Sequence, residues 1–597
     1  MNINVRDFVY KNITPYNGDD SFLIWPTEKT KKLWNICSNL LKKERENNWL
    51  LDVDFSTISN ITSHNPWYID KNLETIVWLQ TDAPLKRAIK PYGWVRVVEW
   101  ALKEKWYELD NRVKDIFNYT PNHNDAVFSV YDDESRLYRS NHIITWLPDN
   151  YARGRIIWDY RRLALYGADY LIEDKKLDYK TINDPLDDEK IRLREEITKQ
   201  IQALNDIKKM ALSYGFDVSQ PANNSREAVQ WVYFAYLSAI KEQDWAAMSL
   251  GNVSSFLDIY IEKDLDAWII TEIEAQEYID HFVMKLRLVR HLRPWAYDEI
   301  FGWDPTWVTE SIWWIFNDWK TKVTKTSFRF LQTLYNLWPS PEPNLTVLWS
   351  PNLPAWFKDF CAKVSIDTSS LQYENDDLMR KCRWWDDYWI ACCVSYQEIW
   401  KRIQHFWARC NWPKALLLAL NWWREESHGK QIISSPHLTS PKEKGIEYNE
   451  EQSIASSLHL GETEWGQKLK VEILNYDTVL SDFKNVLSEV ARVYAKTMYC
   501  IHYMHDKYYY ERAQMAFVDS DYGVDIAYWI AWIAIIADSL SAIKYAKVTP
   551  IRNENWLTVD FKIEWDFPMY WNDDDRVDNI ANDISEYFSK ELKKHRS

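Results

Sequence analysis

Residues 386–395 read DDYWIACCVS and place two cysteines, Cys392 and Cys393, side by side among apolar residues. Successive Cα atoms are about 3.8 Å apart, which is below the usual range for a disulfide, so we expect no structural bridge between them. No CxxC pair and no histidine at ligand spacing lies beside them, so the stretch does not indicate a metal site. Free cysteine is commonly a small buried hydrophobe. The residues alone leave two interpretations, core packing or paired thiol chemistry in a dry site.

The charge of the chain limits its partners. The 597 residues include 88 acidic and 72 basic side chains and carry a formal net charge of -16. An acidic surface is repelled by nucleic acid and by anionic membranes, so we expect small molecules or proteins as partners. The first ten residues do not have the pattern of a secretory signal, and the longest apolar run, 526–537, is shorter than the roughly 20 residues that span a bilayer. With seven cysteines in so long a chain, no disulfide framework is expected, and we predict a soluble cytoplasmic protein.

Glycine and tryptophan occur in unusual numbers. The chain has 12 glycines and 36 tryptophans, whereas ordinary glycine usage of about 7% would give about 42. Trp422 and Trp423 follow the helical run KALLLALN, where a helix end usually has glycine. Trp338 opens the proline-dense turn WPSPEP, and Trp313 and Trp314 precede another polar turn. We predict that most of these tryptophans are glycines whose codon, UGA, was read with the wrong genetic code.

The pattern of apolar residues favours an α/β fold. Residues 187–214 and 275–293 have apolar side chains at three-and-four spacing, which predicts two long amphipathic helices, and 73–80 also reads as helical. Short apolar runs at 344–350 and 361–366 are typical of strands. Strands that alternate with helices indicate α/β architecture.

Long stretches on both sides of the cysteines resemble the pyruvate formate-lyase family of glycyl radical enzymes. Upstream are SFRFLQTLYNLWPSPEPNLTVLWS at 327–350 and KVSIDTSSLQYENDDLMR at 363–380. Downstream are IHYMHDKYYYERAQMA at 501–516 and ADSLSAIKYAKVTPIR at 537–552. The resemblance covers nearly the whole chain. Four tryptophans match tryptophans of the family, namely Trp34, Trp231, Trp307 and Trp349. Roughly two dozen others fall where the family has glycine, among them Trp78, Trp146, Trp158, Trp400, Trp407, Trp422, Trp423, Trp529 and Trp532.

The resemblance implies a fold and a pair of catalytic thiols. The fold is an α/β barrel of ten strands around a finger loop that presents Cys392 and Cys393. Cys393 aligns with the cysteine that takes the radical from the glycyl centre. Cys392 aligns with the cysteine that attacks the carbonyl of pyruvate and holds the acetyl group as a thioester, which divides a difficult cleavage into two easier steps.

The resemblance also implies a substrate pocket. Arg155 and Arg409 match the arginines that hold the substrate carboxylate, a task suited to a guanidinium fork. Trp307, Phe406 and Ala246 match the wall around pyruvate. Packing in the core is the open alternative for these three residues, because aromatic and small residues also fill ordinary cores.

The family has a glycine radical domain with a loop of the type RVSGY, and that pattern does not occur among the 597 residues. We therefore expect one core domain over 1–597, with 425–469 as a polar insertion or loop within it. The glycyl radical is expected from a missing C-terminal segment, and no residue of the chain is named as its carrier.

The activity that the resemblance implies is formate C-acetyltransferase, which converts pyruvate and coenzyme A to formate and acetyl-CoA. No prosthetic group and no metal are expected. The expected partners are a radical S-adenosylmethionine activating enzyme and a second copy of the chain in a homodimer. A 2-ketobutyrate formate-lyase would share the same residues, and an inactive truncated remnant is a further alternative. Another glycyl radical enzyme is disfavoured, because those typically have one cysteine with a glutamate two residues on, where this chain has Val394 or Ser395.

Overall fold

The computed structural model describes most of the chain, and the structural statements below concern that part. The described residues are 4–90, 95–119, 123–149, 158–183, 185–243, 248–300, 306–312, 315–383, 387–391, 395–399, 401–433, 473–508 and 510–595.

Helices dominate the described residues. In chain order they are α1 (Val5–Asn12), α2 (Glu28–Glu46), α3 (Val95–Glu104), α4 (Asn111–Tyr119), α5 (His123–Val130), α6 (Asp133–Ser140), α7 (Arg161–Thr181), α8 (Asp188–Ser213), α9 (Ser225–Glu242), α10 (Val253–Asp266), α11 (Glu272–Leu286), α12 (Trp295–Ile300), α13 (Lys325–Asn336), α14 (Ala355–Thr368), α15 (Asp376–Arg383), α16 (Trp412–Leu420), α17 (Tyr476–Tyr508), α18 (Arg512–Met515), α19 (Ile533–Tyr545) and α20 (Asp575–Lys593). In this part of the chain no helix is long and apolar enough to cross a membrane.

The strands form separate small sheets. They are β1 (Asp52–Ile58), β2 (Lys86–Ile89), β3 (Ile144–Thr145), β4 (Met248–Gly251), β5 (Val308–Ile312), β6 (Asn344–Trp349), β7 (Leu371–Asn375), β8 (Tyr388–Ala391), β9 (Ser395–Glu398), β10 (Arg402–Asn411), β11 (Gly523–Ala531), β12 (Lys547–Arg552) and β13 (Thr558–Glu564). The largest sheet is parallel, in the order β4-β5-β6-β7. The other ladders are β1-β2, β11-β10-β3, β12-β13 and β8-β9. The α/β class is therefore confirmed, and closure into a ten-stranded barrel is not seen among these ladders.

The chain folds into two compact units, each with its own core. Unit 1 consists of Met1–Ala126, Tyr151–Phe406 and His505–Ile526, and unit 2 of Val127–Asn150, Trp407–Met504 and Ala527–Ser597. In unit 1 the parallel sheet is accompanied by α9, which is buried over nearly its whole circumference, as expected of a helix that is apolar on most faces. In unit 2 the ring of Trp412 packs edge-on against Phe483 and Phe588, with centroids 6.3 and 5.6 Å away. The prediction of a single domain over 1–597 stays a prediction.

Two of the expected elements are confirmed. The helix predicted over 187–214 is α8, which begins after Asp187, whose side chain accepts a hydrogen bond from the Lys190 N–H. The strand predicted over 344–350 is β6. The second predicted helix, 275–293, is α11, which begins earlier because Thr271 and Glu274 form a capping box, and it ends at Leu286.

Two other expectations are wrong. The strand-like run 361–366 lies inside α14, whose buried residues Phe357, Phe360, Cys361 and Val364 follow helical spacing. That spacing extends beyond the six-residue run, so the run alone did not reveal it. The run 73–80 is not helical, because side chains of neighbouring helices bind its backbone. Val77 N–H, for example, donates to Gln230 Oε1 at 2.8 Å. Most of the insertion predicted at 425–469 lies outside the described residues, from 434 onward.

Tryptophan is concentrated at backbone positions that favour glycine. Of the nineteen described non-glycine residues with positive φ, fourteen are tryptophans: Trp49, Trp78, Trp106, Trp146, Trp268, Trp307, Trp319, Trp338, Trp422, Trp423, Trp532, Trp556, Trp565 and Trp571. Positive φ is uncommon for any residue with a Cβ atom and more so for a bulky one. This backbone pattern supports glycine at most of these positions. Trp307, which matches a family tryptophan, is an exception to that explanation.

The end of α10 illustrates the pattern. Trp268 follows the helix with φ 57° and its side chain is 93% exposed. Ile269 N–H donates to Asp264 O at 2.9 Å, and Trp268 N–H donates to Leu265 O at 3.0 Å. This pair of bonds is the Schellman motif, in which the residue at the position of Trp268 is usually glycine.

The end of α8 has the same motif with glycine in that place. Gly215 has φ 84°, and a Cβ atom built on it would meet nothing within 4 Å. Phe216 N–H donates to Ala211 O at 3.0 Å, and Gly215 N–H donates to Leu212 O at 2.9 Å. Gly215 and Trp268 are therefore a matched pair that differs only in the residue at the left-handed position.

Replacing Trp268 with glycine is expected to stabilise unit 1. Removal of left-handed strain should raise the free energy of unfolding by about 1 kcal/mol, and Gly215→Trp should lower it by a similar amount. Urea denaturation followed by circular dichroism measures both changes. As a control, Trp356→Gly replaces an exposed tryptophan that has helical backbone in α14 and should destabilise. A loss of stability in Trp268→Gly would contradict the glycine assignment, and peptide masses of the native protein would test it directly.

Candidate functional site

Two antiparallel strands flank the two neighbouring cysteines in the sequence. Strands β8 and β9 pair with each other, and Ala391 is opposite Ser395. Residues 392–394, which include Cys392 and Cys393, connect these strands and lie outside the described residues. The finger loop expected for the two thiols therefore stays a prediction.

The base of the hairpin is held by buried contacts within unit 1. Ile390 N–H donates to Ser311 Oγ of β5 at 3.1 Å. Tyr388 OH donates to Asp376 Oδ1 at 2.6 Å. Trp389 is fully buried and packs so close to Gly251 that a Cβ atom there would lie 3.4 Å from its ring. The hairpin is therefore fixed against the parallel sheet.

A cluster of buried charges lies at the same base. Arg161 Nε donates to Asp159 Oδ1 at 2.8 Å, and Arg161 Nη2 donates to Asp387 Oδ2 at 2.9 Å. Lys322 Nζ lies 3.6 Å from Asp387 Oδ1. The side chains of Arg161, Asp159 and Lys322 are each 1% exposed and that of Asp387 is 7% exposed. Burial raises the pKa of Asp387, but the neighbouring charges of Arg161 and Lys322 lower it by more. The pKa of Asp387 is therefore below its ordinary value.

Trp307 lies beside the first residue of β4. The Trp307 carbonyl accepts the Met248 N–H at 3.3 Å. Ala246 lies outside the described residues, so the wall that it is expected to form with Trp307 stays a prediction.

Glu342 holds the backbone of Trp307 and was not singled out from the sequence. The Trp307 and Val308 N–H groups donate to its carboxylate at 3.0 and 3.2 Å, and Thr306 Oγ1 donates at 2.9 Å. Burial raises the pKa of Glu342 to about 8, although these hydrogen bonds and the charge of Arg290 act in the opposite direction. Glu342 lies in a proline-dense turn, and nothing in the sequence around it predicts this contact.

Arg409 belongs to unit 2, where it lies on β10 opposite Thr145 of β3. Its guanidinium carbon is 4.4 Å from the ring centroid of Trp146 and 5.4 Å from that of Trp529. Both tryptophans are at positions where the sequence predicts glycine, and Trp146 has φ 57°. Glycine at these two positions would leave room for a ligand beside the guanidinium. Arg155 and the side chain of Phe406 lie outside the described residues.

Three buried thiols of the chain are poor nucleophiles. Cys37, Cys361 and Cys410 are buried, and none of the five described cysteines forms a disulfide. Burial raises the pKa of Cys37 to about 12 and also raises the pKa of Cys361 and Cys410, so these thiols stay protonated near neutral pH. Within the described part of the chain, no group of three or more His, Cys, Asp or Glu side chains could hold a metal ion.

The Glu342→Gln variant is expected to change how stability depends on pH. A carboxyl whose folded pKa is about 8 and whose ordinary value is 4.5 stabilises the fold fully below pH 4.5, and this contribution is lost as the pH rises to about 8. Glutamine does not titrate, so the decline in unfolding free energy between pH 5 and 8 should be shallower by at most about 1.4 kcal/mol per pH unit. Urea unfolding across this range measures the slope. The surface variant Glu195→Gln controls for loss of a carboxylate, and an unchanged slope in Glu342→Gln would contradict the assignment.

Comparisons with known proteins agree with this arrangement. The family model described as pyruvate formate lyase-like matches residues 2–597. The formate acetyltransferase of Haemophilus influenzae is 49% identical over 609 residues, which cover 99% of this chain and 75% of that protein. Among solved structures, the B12-independent glycerol dehydratase of Clostridium butyricum has a TM-score of 0.71 at 17% identity and covers 96% of this chain and 79% of its own. A glycyl radical enzyme of Archaeoglobus fulgidus has a TM-score of 0.66 at 14% identity and covers 100% of this chain and 80% of its own.

The two structural neighbours are too distant in sequence to indicate more than a shared fold. The family model and the Haemophilus relative carry the assignment, because one spans nearly every residue and the other is similar over nearly the whole length. The chain therefore belongs to the pyruvate formate lyase-like family.

Proposed function

We propose that this chain catalyses the formate C-acetyltransferase reaction, in which the acetyl group of pyruvate is transferred to coenzyme A and formate is released. The observation that carries the proposal is the 49% identity to a formate acetyltransferase over 99% of the chain, together with the doubled cysteine at the turn of the hairpin. The chain is accordingly an acyltransferase. Glycerol dehydration, the activity in the name of one structural neighbour, receives no support, because that similarity rests on the fold at 17% identity.

The two thiols divide the chemistry. Cys393 relays the radical, and Cys392 bonds to the carbonyl carbon of pyruvate as the bond to the carboxylate carbon breaks. The carboxylate carbon leaves as a formate radical anion, which takes from the Cys393 thiol the hydrogen atom that Cys393 received from Cys392. This transfer gives formate and returns the radical to Cys393. The acetyl group remains on Cys392 as a thioester until the thiol of coenzyme A displaces it. A covalent intermediate of this kind replaces one difficult cleavage by two easier steps. The hairpin supports this role, because its buried base fixes the strands that lead to both thiols.

Arginines and apolar side chains bind the substrate. Arg155 and Arg409 hold the carboxylate of pyruvate, which a guanidinium binds through paired, charge-assisted hydrogen bonds. Trp307, Phe406 and Ala246 form the wall around its methyl group. Burial of Trp307 N–H against Glu342 supports this role, because it fixes the position of the residue.

The remaining requirements of the reaction come from partners. The glycyl radical is carried by a segment outside these 597 residues and is generated by a radical S-adenosylmethionine activating enzyme. Coenzyme A is the second substrate. The enzyme acts in the cytoplasm as a homodimer, and the acidic net charge of -16 is compatible with small-molecule substrates rather than nucleic acid.

Cys392→Ala is expected to abolish acetyl-CoA formation in the activated enzyme, because it removes the sulfur that is proposed to carry the acetyl group. The exchange of labelled formate into pyruvate needs no coenzyme A and should be lost as well. Both rates are measured by radiochemical assay with purified protein. Cys382→Ala, which removes an exposed thiol on α15, is the matched control and should keep both rates. Acetyl-CoA formation at the wild-type rate by Cys392→Ala would disprove the role of this thiol.

Arg409→Lys is expected to raise KM for pyruvate about 10- to 100-fold with a smaller change in kcat, because lysine keeps the charge but lacks the fork that binds both carboxylate oxygens. Steady-state kinetics at saturating coenzyme A separate the two parameters. Arg424→Lys, a second arginine of unit 2 whose Nη1 donates to the Asn555 carbonyl, is the control. If Arg409→Lys left KM unchanged, carboxylate binding by this residue would be excluded.

A further inference from the structure

One buried ion pair joins two segments that contain proposed site residues. Arg161 is the first residue of α7 and follows Arg155 by six positions. Asp387 immediately precedes β8 and is five positions before Cys392. The pair therefore connects the segment of a substrate arginine to the hairpin of the catalytic thiols.

The geometry of the pair restricts both distance and orientation. Arg161 Nη2 lies 2.9 Å from Asp387 Oδ2 and Nη1 lies 3.4 Å from Asp387 Oδ1. The same guanidinium donates to Asp159 through Nε at 2.8 Å and Nη2 at 3.1 Å. A planar fork shared by two carboxylates allows little rotation of either partner.

The carbonyl of Asp387 also closes the hairpin. It accepts the Ile399 N–H at 3.0 Å, just beyond the paired strands. The side chain and the backbone of one residue thus set where β8 begins. A shift of Asp387 would be transmitted to the turn, because only the four residues of β8 separate it from Cys392.

The cost of removing ions from water indicates that the pair of Arg161 and Asp387 fixes positions rather than adding stability. Removing ions from water is costly, and replacing a buried ion pair by apolar residues of similar volume is often neutral or stabilising. Arg161 and Asp387 are almost fully inaccessible to water. The charges of Lys322 and Asp159 balance the cluster, so each charge keeps an opposite partner.

We propose that Arg161 and Asp387 are positioning residues for the acyl transfer, which hold the cysteine hairpin in register with the segment of Arg155. The inference rests on the proposed function, because it concerns the same thiols and substrate. Neither residue touches the substrate in this scheme. Their effect is on the distance between the thiol of Cys392 and the bound pyruvate, and a misplacement of about 1 Å can cost about 100-fold in rate.

The first test is the Asp387→Asn variant, which keeps the volume but loses the charge and one acceptor. We expect kcat to fall about 10- to 100-fold with little change in KM, because Arg155 and Arg409 still bind the carboxylate. The combined variant Arg161→Met/Asp387→Leu removes both charges but leaves Asp159 and Lys322 without these partners. Circular dichroism first establishes that it folds, and the folded protein should show the same loss of kcat. The double variant Arg161→Lys/Asp387→Asn should lose no more kcat than the more impaired of the two single variants, because both substitutions break the same contact.

Ser225→Ala is the control. It removes a buried hydrogen bond elsewhere in unit 1, from Ser225 Oγ to Asp264 Oδ2 at 2.7 Å, and Asp264 keeps the Ser225 N–H. It should lower thermal stability without the loss of kcat, because this bond joins α9 to α10 and not the hairpin to α7. An equal loss of kcat in Ser225→Ala, or an unchanged kcat in folded Arg161→Met/Asp387→Leu, would overturn the proposal.

A second readout does not depend on activity. Iodoacetamide labelling of the non-activated protein, followed by peptide mass spectrometry, gives the relative alkylation rates of Cys392 and Cys393. The ratio should change in Asp387→Asn and stay at the wild-type value in Ser225→Ala. If the activated wild-type enzyme did not form acetyl-CoA, the proposed function would fail, and the labelling ratio would still decide whether the ion pair positions the thiols. An unchanged ratio in Asp387→Asn would reject the pair as a positioning device.

Discussion

The guanidinium of Arg161 lies between the carboxylates of Asp159 and Asp387 and joins the start of α7 to the start of the cysteine hairpin. Reactive thiols need a fixed approach to the substrate, and a loop of three residues cannot provide it alone. The hairpin obtains its rigidity from its base, where Ile390 is bound to Ser311 of β5 and Tyr388 to Asp376 of α15. Rigid strands with a short reactive turn are a common way to hold catalytic groups on a scaffold.

Burial raises the pKa values of several ionisable groups in the interior. Buried carboxyls such as Glu342 are held by several donors, and burial raises the pKa of Glu342 to about 8. Buried cysteines such as Cys361 and Cys410 have raised pKa values, so their thiols stay protonated and are poor nucleophiles. The proposed radical chemistry is assigned to Cys392 and Cys393, and the buried thiols Cys37, Cys361 and Cys410 take no part in it.

Many tryptophans of this chain have positive φ, a backbone conformation that favours glycine and is inconsistent with so bulky a side chain. Trp268 and Gly215 end two helices with the same hydrogen bonds, although only glycine adopts that conformation without strain. At Arg409 the same question reaches the site, because Trp146, which has positive φ, and Trp529, where glycine is also predicted, cover the guanidinium on which carboxylate binding is proposed. Glycine at these positions would reconcile the backbone, the composition and the space that a substrate needs.

The sequence by itself determined the family, the doubled cysteine, the α/β class and elements with a long clear period, such as α8 and β6. It could not assign 361–366 or 73–80, because a short apolar run is compatible with helix, strand or bound loop until the neighbours are known. The partners of Arg161 and Glu342 were likewise decided only by the tertiary structure. Asp387 is 226 residues from Arg161 along the chain, and a contact between such distant charges follows from folding and leaves no local pattern.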